Sequence, residues 1–129
     1  MTTAPSARRS ERTLLAYDGS ASALRALRRT ATMHRAGDEV GVIYVRERGD
    51  DAQRHLAGAC RLLAESGIDA TPISGAGNPA RTICVTAERD GYDTIVVGRR
   101  NLRNAGLLLL GSVAARVVSG ASCDVVVVA

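Results

Sequence analysis

Thr94-Ile95-Val96-Val97-Gly98 and Asp124-Val125-Val126-Val127-Val128-Ala129 are valine-rich runs that flank one helical pattern, and this unit decides the fold. Both runs read as strands, Thr94 to Val97 and Asp124 to Ala129. Between them, Leu107 to Ala121 reads as a helix with Leu110, Val113, Ala114, Val117 and Ala121 inward. Strand, helix and strand in succession make a parallel crossover.

The same alternation runs back to the start of the chain. Thr13 to Tyr17 reads as the first strand, and Asp18-Gly19-Ser20 breaks it and offers a helix cap. In Ser20 to Arg35, Ala23, Leu24, Leu27 and Ala31 share a face, with Arg25, Arg28, Arg29 and Arg35 outside it. Gly37 is read as the cap that ends this helix. Glu39 to Val45 is the second strand, and Arg46 to Asp51 connects it to a helix over Gln53 to Ser66. Asp69 to Ser74, which contains Pro72, is the third strand. Gly75 to Asn78 reads as a turn, with Asn78 capping a helix whose first residue is Pro79. That helix buries Ala80, Ile83, Cys84 and Ala87, and Gly91 closes it.

Five strands alternating with four helices predict an α/β fold: an open parallel sheet with helices on both faces. Two strand orders are open, 3-2-1-4-5 and 2-1-3-4-5. Pro72 favours the first, because proline belongs at a sheet edge. The switch point then lies between strands one and four, at Tyr17-Asp18-Gly19 and Val97-Gly98. The apolar run Val125 to Val128 falls at the other edge. Such an edge is an aggregation hazard unless a second subunit pairs with it, so a homodimer through Asp124 to Ala129 is expected.

The loop after Gly98 is basic, with Arg99, Arg100 and Arg103, and Gly111-Ser112 follows it. Glycines at a strand end and near a helix start allow close backbone approach to a phosphate. The segment reads as an anion-binding loop with nucleotide as the anion.

Composition narrows the field. The chain has 129 residues, 46% of them hydrophobic, which suits one domain with a core. Residues 1–12 are expected to be a flexible tail and 13–129 the domain. No apolar run approaches the roughly 20 residues of a membrane span. With no signal-like segment at the N-terminus, a cytoplasmic location is expected. All 17 basic residues are arginine, which removes lysine chemistry. Aromatic content of 2% leaves no stacking platform and argues against DNA or RNA as a partner. Cys60, Cys84 and Cys123 read as buried thiols. His34 and His55 read as solvated helix residues away from the switch point, so no metal site is expected.

Three motif readings fail. Gly75-x-Gly77-x-x-Ala80 mimics a dinucleotide fingerprint but follows the third strand, and the acid it requires is missing; Asp93 precedes the fourth strand instead. A phosphorylated receiver domain needs a lysine and an acceptor aspartate where Ser74-Gly75 stands. No serine has a histidine in a catalytic motif, so a binding module is preferred to an enzyme and no catalytic residue is assigned.

From Thr13 to Ala129 the chain resembles the universal stress protein family. The carriers are Asp18-Gly19-Ser20, Val42-Ile43-Tyr44-Val45, Gly75-Ala76-Gly77-Asn78-Pro79-Ala80, Gly98-Arg99-Arg100 with Leu107-Leu108-Leu109-Leu110-Gly111-Ser112-Val113, and Cys123-Asp124-Val125-Val126-Val127-Val128. ATP-binding members carry Gly-x2-Gly-x9-Gly-Ser/Thr. Gly98, Asn101, Gly111 and Ser112 keep that spacing, with Asn101 in place of the second glycine. The resemblance implies ATP as the ligand, with or without magnesium, in a homodimer that serves a stress response. It implies Ala16, Tyr17, Asp18 and Val45 around the base and ribose, and Gly98, Arg100, Asn101, Gly111, Ser112 and Val113 around the phosphates. The alternative is a nucleotide-free member that works through protein contacts, and Asn101 motivates it.

Overall fold

A computed structural model describes residues 10–49, 51–99 and 110–129. The strands are β1 (Arg12–Ala16), β2 (Glu39–Arg46), β3 (Thr71–Ala76), β4 (Thr94–Gly98) and β5 (Asp124–Val128). The helices are α1 (Ala21–Met33), α2 (Ala52–Ala64), α3 (Pro79–Arg89) and α4 (Ser112–Gly120). All strand pairs are parallel, in the order β3-β2-β1-β4-β5. The expected architecture and order are therefore the observed ones.

Strand periodicity splits the core into two layers. Leu15, Val42 and Val96 face α1 and α2, where Ala26, Leu27, Leu56 and Leu63 meet them. Leu14, Ile43 and Ile95 face the other way, onto Ile83, Ala87 and Val117 of α3 and α4. Neighbouring residues on a strand point to opposite faces, so both layers come from the same three strands. β1 and β4 lie in the middle and are apolar on both sides.

Pro72 sits on β3, an edge strand, opposite Val42. There the missing N–H removes no bond to a further strand. β3 begins later than expected and runs through Gly75-Ala76, which had looked like a turn. Val45 pairs with Gly75 and Arg46 with Ala76, and this pairing holds them in the ladder. At the other edge, Val125 to Val128 are only half-buried.

Three helix ends differ from expectation. α1 stops at Met33 and is capped by His34 in an extended conformation. Gly37, with φ +92°, turns the chain towards β2 instead of capping α1. α2 stops at Ala64, with Glu65 as its cap. α4 starts at Ser112 instead of Leu107, because Gly111 is extended and its N–H donates to the Arg99 carbonyl at 3.0 Å. Leu110 precedes the helix and is exposed instead of inward.

Candidate functional site

The helices return against the strand direction, so their N-termini gather where the strands end. A cavity of about 300 Å³ opens there. β1 contributes Ala16 and leads into Tyr17 and Asp18. β2 contributes Ile43, Tyr44 and Val45, followed by Glu47, and β4 contributes Val97 and Gly98. α3 adds Pro79 and Ile83, and α4 adds Val113 and Ala114. The cavity straddles β1 and β4, the switch point of this strand order.

The turn after β1 is tightly specified. The Tyr17 N–H donates to the Ile43 carbonyl at 3.0 Å. An Asp18 carboxylate oxygen accepts the Ser20 N–H at 3.0 Å. Ser20 is the cap, its hydroxyl accepting the Ala23 N–H at 3.1 Å. Asp18 thus shapes the turn at the cavity mouth without capping the helix. Burial, then the Asp18 charge, pushes the Tyr17 phenol up from its ordinary pKa, so Tyr17 stays neutral.

Gly98 makes a contact that the sequence did not announce. A Cβ built there falls 2.6 Å from the Ser22 carbonyl oxygen, and also against the Ser22 hydroxyl. The absent side chain lets α1 lie against the end of β4. Ser22 is buried and lines the cavity, and no motif marked it.

Side chains cap three of the helices. Ser20 caps α1, Asp51 accepts the Arg54 N–H at the start of α2, and Asn78 accepts the Arg81 N–H at the start of α3. α4 starts on Gly111, which has no side chain to offer. Its first-turn N–H groups and the positive end of its dipole meet the cavity at Val113 and Ala114. Arg99, whose carbonyl accepts the Gly111 N–H, has its Nε buried with no hydrogen-bond partner among the described residues. An uncapped helix start beside a cavity is suited to an anion.

Of the expected site residues, Ala16, Tyr17, Asp18, Val45, Gly98 and Val113 share this cavity. Gly111 and Ser112 stand immediately before Val113, as cap and first residue of α4. Arg100 and Asn101 lie outside the described residues, as do Leu107, Leu108 and Leu109.

His55 corrects an expectation. It stacks on Tyr44 with ring centroids 4.8 Å apart and planes 6° from parallel. A Cβ on Gly19 would stand 2.8 Å from its ring, so His55 lies against the turn after β1, beside the switch point. His34 is half-buried rather than solvated and lines a second hollow, at the opposite end of the sheet. The three cysteines are half-buried, and burial raises the pKa of each thiol. Among the described residues, no group of three metal-ligating side chains forms.

Residues 10–129 match the Universal stress protein family. The chain belongs to that family. A curated relative, universal stress protein YxiE of Bacillus subtilis (strain 168), is 33% identical over 97 residues. That match spans 68% of this chain and 66% of the relative, just under two thirds of the relative's length. A universal stress protein solved in complex with cAMP is similar at TM-score 0.81 and 25% identity, over 94% of this chain and 98% of that one. A family member from Arabidopsis thaliana with AMP bound has the same fold at TM-score 0.74 and 20% identity, over 92% and 90% of the two chains.

Proposed function

We propose that this universal stress protein is a binding module for an adenine nucleotide, with ATP as its ligand. The observation that carries the reading is the uncapped first turn of α4 at a cavity on the switch point. Ala16, Tyr17, Asp18 and Val45 take the base and ribose. Gly98, Arg100, Asn101, Gly111, Ser112 and Val113 take the phosphates. Arg99, whose Nε is buried with no hydrogen-bond partner among the described residues, follows β4 on that side. A volume of about 300 Å³ is at the small end of ligand pockets, which suits a nucleoside with its phosphates outside. Relatives solved with cAMP and AMP support the adenine class. Magnesium, where present, rides on the phosphates. Equilibrium dialysis with labelled ATP tests the reading. Saturable binding is expected, and none at millimolar ATP overturns it.

The protein acts in a cytoplasmic stress response by binding rather than by turnover. Among the described residues, no helix is long and apolar enough to cross a membrane. The half-buried valines of the β5 edge support a homodimer through Asp124 to Ala129. Sedimentation analysis is expected to give a dimer, and Val127→Pro a monomer. A monomeric wild type at micromolar concentration overturns this part.

A further inference from the structure

We infer that Glu47 determines specificity by reading the ribose of the bound nucleotide, an inference that rests on the nucleotide reading above. Glu47 follows β2 by one residue, and its cavity also holds Asp18. Two carboxylates therefore stand on the β1–β2 side, and the positive start of α4 stands on the β4 side. This polarity orients an anionic ligand: phosphates go to α4, and hydrogen-bond donors go to the carboxylates.

A nucleoside offers donors on its base and on its ribose. The inner wall is apolar and buried, with Ala16, Ile43, Ile83 and Val97, and suits the flat base. Glu47 is exposed, at the rim, where the ribose joins the base to the phosphates. Its carboxylate accepts from the vicinal hydroxyls. The carboxylate also works by exclusion. In a 3′,5′-cyclic nucleotide the 3′ oxygen has no proton to donate and belongs to an anionic diester, which Glu47 repels.

Calorimetric titration of ATP, 2′-deoxy-ATP, AMP and 3′,5′-cyclic AMP into wild type, Glu47→Gln and Glu47→Ala tests this. Wild type is expected to prefer ATP to 2′-deoxy-ATP by about tenfold or more, the size of a charged hydrogen bond. Glu47→Ala is expected to shrink that ratio to within about twofold. Both variants are expected to bind cyclic AMP more tightly than wild type does, while AMP binds more weakly. A gain of cyclic AMP affinity cannot come from a misfolded variant. If wild type binds ATP and both ratios survive in the variants, Glu47 does not read the ribose and only this inference falls. If wild type binds none of the four, the nucleotide reading falls and this inference with it.

Discussion

The two ends of the sheet each carry a hollow of comparable size, and the two differ in what surrounds them. The one at the carboxyl ends of the strands holds about 300 Å³, the one at the amino ends about 410 Å³. At the amino ends the helices finish, so their dipoles present negative ends. Carboxylates there close the backbone: Asp38 accepts the N–H groups of Glu11 and Arg35, and Asp93 accepts that of Arg12. Arg12 lies over the Tyr92 ring, 5.0 Å from its centroid, and pairs with Glu39. At the carboxyl ends the helices begin, and α4 begins without a side-chain cap. At the amino ends carboxylates hold backbone N–H groups, while Arg12 Nε and His34 Nδ1 are buried with no hydrogen-bond partner among the described residues. At the other, the first turn of α4 has no side-chain cap among the described residues. Helix polarity, more than volume, separates them.

The strongest way to break this contrast is to remove the glycine that brings α1 onto β4. Gly98→Val drives a side chain into the Ser22 carbonyl and hydroxyl, and the carbonyl cannot rotate away alone. A loss of about 3 kcal/mol is expected in urea unfolding, with ATP binding lost too. Unchanged stability would mean that α1 and β4 separate freely. At the opposite end, Asp93→Ala leaves the Arg12 N–H unpaired. It is expected to cost about 2 kcal/mol in the same assay while leaving ATP affinity within about twofold. A large fall in affinity there would show that the two ends are coupled.

This contrast explains what the sequence could and could not disclose. Strand order was legible because Pro72 has a local reason to sit at an edge. The cavity's place followed from that order. Asn78 and Pro79 were legible as a helix start because capping is a short-range bond. Gly98 was read for its closeness to a phosphate, yet its contact is Ser22, 76 positions earlier in the chain. His55 was misplaced for the same reason, since its neighbours Tyr44 and Gly19 belong to other elements. Gly75-Ala76 had turn composition, and only pairing with β2 made it strand. Periodicity and caps are local signals, whereas the misreadings of Gly98, His55 and Gly75-Ala76 each involved a partner on another element.

A milder change sharpens the contrast by giving α4 the charge it lacks. Ser112 is the exposed first residue of α4. Ser112→Asp places a carboxylate on the helix dipole and is expected to stabilise the free protein by about 0.5 kcal/mol. The same carboxylate competes with phosphate, so ATP affinity is expected to fall by about tenfold. Opposite signs in thermal melting and in dialysis are the signature. A variant that is stabilised and still binds ATP normally would remove the α4 start from the phosphate contacts.

The smallest effect treats both ends alike. Burial is the first cause of the raised pKa values of Tyr17 at the carboxyl end and Tyr92 at the amino end. It also raises those of Cys60, Cys84 and Cys123. For each group the folded state binds its proton more tightly than the unfolded chain does. The contribution to stability is therefore complete below the ordinary value and is lost as pH rises through the folded value. Loss is expected to begin above the ordinary thiol value of 9.0 and to deepen above the phenol value of 10.0. Thermal melts across that range check it. Cys60→Ser, Cys84→Ser and Cys123→Ser together should delay the onset to the phenol range. ATP should flatten the Tyr17 share and leave the Tyr92 share, because Tyr17 lines the candidate site and Tyr92 does not. If ATP protects equally against the Tyr92 share, isolated with Tyr17→Phe, the two ends do not respond independently.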